Sequence, residues 1–256
     1  MAGPVETTCE RGVGLVRLAA PERNNALDMS MREALVAAFT EFTDDPRVRV
    51  IVVSGGPTVF AAGADLRLLA DKSPSGIQEL NLTKYWRPIA ECPKPMIAAV
   101  AGLALGAGAE LALMCDMIVA DPTAQIGQPE SRLGVIPGAG GSQRKVRTLG
   151  KQMSSYLLMT GDTISAPRAY ALGLVCELAE TGQAETMAIA IGRKIAKQPL
   201  LSPVTIKRVL AAGADLPLAA ATALEYREFL LMFDTADQKE GMSAALEGRA
   251  PVFKGR

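Results

Sequence analysis

Two short β-branched runs, Val13–Leu18 and Val48–Ser54, flank a stretch from Ser30 to Phe42 in which Leu35, Ala38, Phe39 and Phe42 recur at helical spacing. A strand, a helix and a strand in that order narrow the folds open to the chain. Two parallel strands need a crossover between them, and a helix is the usual one. Pro95–Val100 and Met117–Ala120 extend the pattern, each reading as a buried strand that runs into a turn or a glycine-rich segment. An α/β fold is expected. After Gly141 the pattern changes, and Gln152–Met159, Ala184–Ala196, Pro203–Ala212 and Pro217–Phe233 all show helical periodicity. Thr235 with Gln238 three residues later fits a capping box that opens a last helix through Leu246, with Gly248 and Pro251 as its stop. Lys72–Gly76, containing Ser73, Pro74 and Ser75, reads as a mobile loop. A chain of 256 residues accommodates one main domain, here with a helical tail.

Composition removes several classes of function. The chain has no histidine, so Ser–His–Asp and Cys–His catalysis and most catalytic zinc sites are out of reach, and no metal site is expected. Proton transfer near neutral pH then falls to a carboxylate in a tuned environment, or less often to Lys, Tyr or Cys. Lysine plus arginine and aspartate plus glutamate both number 27. No global field therefore draws the chain to nucleic acid or to an anionic membrane, and any bound anion must be held locally. Although 49% of the residues are apolar, charges interrupt each apolar run before the roughly 18 to 20 residues of a membrane span. Met1 to Arg11 carries Glu6 and Glu10 and has neither a basic start nor an apolar stretch, so no signal peptide is expected. Cys9, Cys92, Cys115 and Cys176 lack CxxC or metal-type spacing. That suits free thiols in a reducing compartment, and a cytoplasmic location is expected.

Three segments carry candidate chemistry. From Gly102 to Asp116, glycines at 102, 106 and 108 form a turn leading into an apolar helix. The start of a helix leaves backbone N–H groups without internal partners, and glycines let a ligand approach them. Glu110 lies three residues after Ala107, on the same helical face, so a carboxylate would stand beside whatever that N–H binds. The plain structural alternative is a tight turn with Glu110 as a solvated first-turn acid. A dinucleotide site is not supported, because the third glycine of GxGxxG would fall at Leu111, or at Gln143 if counted from Gly138. The second segment, Val59 to Leu66, has four small residues at Ala61, Ala62, Gly63 and Ala64 that offer backbone rather than side chains, or merely permit close packing. In the third, Gln128 to Arg144, Pro129 suits a first helical position and places Glu130 in an opening turn near a second glycine-rich loop, where an acid is commonly only a helix-start charge.

In this order and at these spacings, the three segments together resemble the enoyl-CoA hydratase/isomerase (crotonase) family, and the resemblance extends from about Val13 to Arg256. It implies an α/β spiral of β-β-α turns. Residues 1–195 would form the spiral core and residues 196–256 a C-terminal helical region through which copies assemble as trimers or pairs of trimers. It implies an acyl-CoA thioester substrate, with coenzyme A entering as part of that substrate and no separate cofactor. Mapped residue by residue, the N–H groups of Ala64 and Ala107 are the implied oxyanion donors. Glu110 and Glu130 are the implied catalytic acids, holding one water between them that Gly138 helps to place. Arg23, Ala26, Ala62, Gly63, Asp65, Leu66 and Gly106 fall at implied substrate and CoA contacts.

Retention of both acids favours a hydratase acting on a trans-2-enoyl-CoA over a Δ3-Δ2-enoyl-CoA isomerase, which shuttles its proton with one. Some relatives bind RNA; balanced charge and the lack of an aromatic–basic patch argue against that here. Three positions depart from the common pattern. Ala20 stands where an Arg often precedes the early Pro, leaving Arg23 as the nearby basic residue. Ser131 follows Glu130 where many members are apolar, and Ala107 replaces a frequent glycine. Ser73 to Cys92, with Leu80, Leu82, Tyr85 and Trp86, reads as an acyl-pocket wall or equally as an ordinary buried helix face. Two glutamates beside one water should not both ionise freely, and apolar Leu111, Leu113 and Met114 push the same way, while the helix start at Glu110 opposes them.

Overall fold

The computed structural model describes residues 3–256; Met1 and Ala2, where the segment read as lacking a signal peptide begins, lie outside them. The chain opens with a hairpin of β1 (Val5–Glu10) and β2 (Val13–Leu18). It continues through α1 (Met29–Asp44), β3 (Val50–Ser54), β4 (Val59–Ala61), α2 (Pro74–Glu79), α3 (Thr83–Ala90), β5 (Met96–Val100), β6 (Leu103–Leu105) and α4 (Ala107–Met114). Next come β7 (Met117–Ala120), β8 (Gln125–Gly127), α5 (Gly141–Thr160), β9 (Thr163–Ser165), α6 (Ala166–Ala171) and β10 (Glu177–Leu178). Four helices close the chain: α7 (Ala184–Ala196), α8 (Leu201–Gly213), α9 (Leu218–Met232) and α10 (Ala236–Glu247).

The strands form two sheets, one in the order β1-β2-β3-β5-β7-β10 and one in the order β4-β6-β8-β9. Among the described residues, β1–β2 and β8–β9 are the antiparallel strand pairs. Three times the chain passes from a strand of the larger sheet to a strand of the smaller and then into helix: β3-β4-α2-α3, β5-β6-α4 and β7-β8-α5. The expected spiral of β-β-α turns is present.

Alternation along the strands explains why these runs are apolar throughout. Val16, Ile51, Val53, Ala98 and Val100 point into the main core with α1, α3 and α4, whereas Leu15, Val50, Val52, Ile97 and Val119 point the other way and are covered by α7. The β3–β4 corner is held by Asn25. Buried and in the left-handed region at φ 50°, it donates from its amide nitrogen to the carbonyls of Gly55, Val59 and Phe60 at 3.0, 2.9 and 3.1 Å.

Two readings need correction. Lys72–Gly76 is not simply a loop: Ser73 Oγ accepts from the Gly76 N–H at 3.2 Å and Pro74 takes the first helical position, so the segment opens α2. Serine followed by proline is a cap and N1 pair, and that cap chemistry outweighed a loop-like composition. The glycine-rich segment after β5 does not run straight into helix either, because the three-residue β6 intervenes and pairs with β4 and β8.

The last helix begins as expected, with Thr235 Oγ1 accepting from the Gln238 N–H at 3.1 Å. The 195/196 boundary falls at the last residue of α7. Beyond it α8 is tied to the core by Lys207, which donates to the Lys94 carbonyl at 2.9 Å and pairs with Asp116 at 3.0 Å. Among the described residues no helix is long and apolar enough to cross a membrane, and all four cysteines are free.

Candidate active site

The start of α4 is shaped by its glycines. Gly106, at φ 50° and ψ −121°, ends β6 by donating its N–H to the Gly127 carbonyl of β8 at 2.9 Å and serves as the helix N-cap. Ala107 is the first helical residue, so no carbonyl one turn earlier in the helix can take its N–H. Gly108 must lack a side chain, because a Cβ there would run into the Ala61 carbonyl of β4. The exit from β4 lies against this turn: a Cβ built on Gly63 would sit 4.0 Å from the Ala107 nitrogen. The neighbouring Ala64 bridges to Leu27, whose N–H donates to the Gly63 carbonyl at 2.8 Å. Gly63, next to Ala64, thus lies against the turn that opens at Gly106 and Ala107.

Both glutamates reach the same place. Glu110 is 3% exposed, and its Oε1 accepts the N–H groups of Ala139 at 2.7 Å and Gly141 at 2.9 Å, so the loop before α5 is folded onto it. Glu130 sits in a 3-10 turn, Pro129–Leu133, with proline at its opening. Its carboxylate hangs over Gly106, where a Cβ would come within 3.2 Å of Oε1, and its Oε2 is buried without a partner. The Glu110 N–H donates to the Gly106 carbonyl at 3.0 Å, so the two acids stand over the same turn.

Burial pushes the Glu110 carboxyl above its usual range, against the two backbone N–H bonds and the charges of Arg144 and Arg32. Burial also raises Glu130; the Glu110 charge adds to that rise, and a backbone hydrogen bond and Lys145 oppose it. Two backbone donors favour the anion of Glu110.

The remaining candidate contacts divide. Ala62 donates its N–H to the Asn24 carbonyl at 2.9 Å, which lays the segment holding Arg23 and Ala26 beside Ala62–Ala64. Arg23 is exposed and paired with Asp28. The Asp65 carboxylate is taken by Arg67, whose ion pair at 2.9 Å holds it below the usual carboxylate range, and Leu66 is exposed. Gly138 is exposed, and a Cβ there would meet nothing within 4 Å. Tyr85 and Trp86 are buried on α3, with the Arg32 guanidinium 4.8 Å from the Trp86 ring.

Sequence reasoning missed three buried polar residues around the pair. Gln128 is wholly buried with neither amide atom partnered, Arg32 has a free Nη1, and Lys145 is wholly buried with a free Nζ. A signal for Lys145 existed, since it lies four residues after Gly141 on the face of α5 that turns inward.

Packing here is tight enough to test. A Cβ on Gly141 would strike the Gln128 amide and lie 2.9 Å from Glu110 Cγ. Gly141→Ala is expected to cost about 1–3 kcal/mol and to slow turnover, whereas Gly138→Ala should stay within about 0.5 kcal/mol of the parent. Thermal melts of the two variants check the contrast, and equal melting temperatures would contradict it.

Comparison with known proteins agrees with this geometry. The model of the enoyl-CoA hydratase/isomerase family matches residues 8–256. The mitochondrial enoyl-CoA hydratase of Pongo abelii is 40% identical over 94% of this chain and 83% of its own length. The 2,3-dehydroadipyl-CoA hydratase of Escherichia coli K12 is 37% identical over 96% of this chain and 97% of its own. Among solved structures, enoyl-CoA hydratase subunit I from Geobacillus kaustophilus HTA426 superposes with a TM-score of 0.96 at 40% identity, covering 99% of this chain and 98% of that one. With its β-β-α spiral, its two glycine-lined turns and this likeness along nearly its whole length, the chain belongs to the enoyl-CoA hydratase/isomerase family.

Proposed function

We propose that this chain is an enoyl-CoA hydratase, adding water syn across the double bond of a trans-2-enoyl-CoA to give a 3-hydroxyacyl-CoA, with Glu110 as base and Glu130 as acid. One observation carries this reading: the carboxylate of buried Glu110 and that of half-buried Glu130, from different turns of the spiral, lie against one helix start that also presents backbone N–H groups. Glu110 takes a proton from water as the hydroxyl bonds to the β-carbon. The double-bond electrons move toward the thioester oxygen, held by the N–H groups of Ala64 and Ala107, and return as the α-carbon takes the proton of Glu130. Transfer of a proton from Glu110 to Glu130 resets the site. Every step uses carboxylates and backbone amides, and coenzyme A takes part only as a portion of the substrate. A single-acid isomerase leaves one of the two glutamates without a task, and the balance of 27 basic and 27 acidic residues gives RNA binding no support.

The test is hydration of crotonyl-CoA and of straight-chain, branched and carboxylated enoyl-CoA esters, read as loss of the conjugated thioester absorbance. Turnover of at least one ester supports the proposal. No hydration of any, with RNA binding that weakens as salt rises, would reverse it.

We also propose assembly as a trimer or dimer of trimers through residues 196–256. Ile206, Leu210, Leu218, Phe229, Leu231 and Leu246 are exposed on α8–α10, more apolar surface than a lone subunit ordinarily leaves to water. Light scattering should return a multiple of three 26.9 kDa subunits; a mass near one subunit at micromolar concentration would contradict it. Four free thiols support a reducing compartment, and the cytoplasm is the location we propose.

A further inference from the structure

Lys145 is wholly buried, yet its Nζ has no hydrogen-bond partner. It stands one turn after Gly141, whose N–H holds Glu110, on the part of α5 that packs against α4 and against the Pro129–Leu133 turn. Both acids lie close enough to favour its charged form, Glu130 more than Glu110. Glu130 Oε2 is buried and unpartnered in the same interior. An isolated ammonium and an isolated carboxylate are each costly to bury, and opposite charges facing one another are the arrangement that tolerates both.

The two glutamates are not served alike. Glu110 has its two N–H donors and feels Arg144 from α5 and Arg32 from α1; Arg144 is turned to the Ala139 carbonyl at 2.8 Å. Among the described residues the cation that acts on Glu130 is Lys145. Without it, burial and the neighbouring Glu110 charge would both hold the proton on Glu130, and a general acid that will not release its proton is a poor one.

We propose that Lys145 is a positioning residue for hydration, supplying the positive charge that keeps the Glu130 proton transferable. The inference rests on the acid–base reading of the glutamate pair. Lys145 does not touch the reacting atoms; it acts through Glu130. Burial holds its own ammonium down to about 8, so its charge is present at neutral pH and is lost as pH rises through that value.

The test is the pH profile of kcat/KM for crotonyl-CoA in the parent, Lys145→Met and Lys145→Arg. Removing a facing positive charge raises carboxyl pKa values, so in Lys145→Met the alkaline limb, where Glu130 must still be protonated, should move up by about one pH unit. The acid limb, set by Glu110, should move up less, because Arg32 and Arg144 remain. Lys145→Arg keeps the charge and should not show the upward move of the alkaline limb. Lys145→Gln removes the charge behind a polar end and is read in the same way should the methionine variant not fold. A charge-removing variant whose profile superposes on the parent's overturns the inference. Glu130→Gln is assayed beside them: near-parental hydration there would mean that the acid–base reading itself has failed, whereas an inactive Glu130→Gln with a superposed Lys145→Met profile sinks this inference alone.

Discussion

Ala107→Pro is expected to abolish hydration while leaving the protein folded, and Ala107→Gly is expected to keep most of the activity. The contrast isolates one atom. Ala107 is the first residue of α4, the position at which a helix accepts proline because the N–H there has no internal partner. Proline at 107 therefore removes the proposed oxyanion donor without removing a hydrogen bond of the fold. Loss of such a donor typically raises the barrier by roughly 3 to 4 kcal/mol, or about 10² to 10³ in rate. The rigid ring beside Gly106, held at φ 50° and ψ −121°, adds displacement of the turn to that loss. Glycine restores the N–H and carries no side chain to clash, so only some ordering of the turn is given up. Circular dichroism would establish that both variants fold, and crotonyl-CoA turnover would rank them. Two variants with parental activity would remove Ala107 from the donor role.

Much of this arrangement was legible in the residues. The strand–helix–strand pattern from Val13 to Ser54 is in place, and Glu110 and Glu130 each lie against the Gly106 turn. What escaped did so for physical reasons. β4, β6 and β8 are three residues each, too short for a period of two to stand out, and they exist because each completes a ladder with its neighbour in the spiral. β1 is mostly exposed and carries little apolar signal. The clamp on Glu110 comes from backbone N–H groups 29 and 31 residues away, and backbone donors leave no mark on side-chain identity. Lys145 and Arg32 resemble solvated helix charges until the fold closes over them, because lysine and arginine are almost never fully buried without a partner. An interior holding two acids is the circumstance in which that expectation fails.

Burial raises both carboxyls; two backbone donors oppose that rise at Glu110, while the Glu110 charge adds to it at Glu130. Hydration should therefore fall on the acid side as Glu110 takes up a proton and on the alkaline side as Glu130 loses one. The two limbs belong to the coupled pair as a whole.

Glu110→Gln and Glu130→Gln, each measured against crotonyl-CoA hydration and against isomerisation of a 3-enoyl-CoA, test the two-acid site most directly. An amide keeps the shape of the carboxyl and cannot exchange its proton, so each variant should lose at least roughly 10²-fold in hydration kcat with a much smaller change in substrate binding. The double variant should lose less than the product of the single losses, because groups that act as one unit are not additive. An isomerase would lose 3-enoyl conversion with one substitution and barely respond to the other. Deep losses from both single variants, with a double loss short of their product, are what the shared site predicts; near-parental hydration by Glu130→Gln would contradict it and return Glu130 to a helix-start charge.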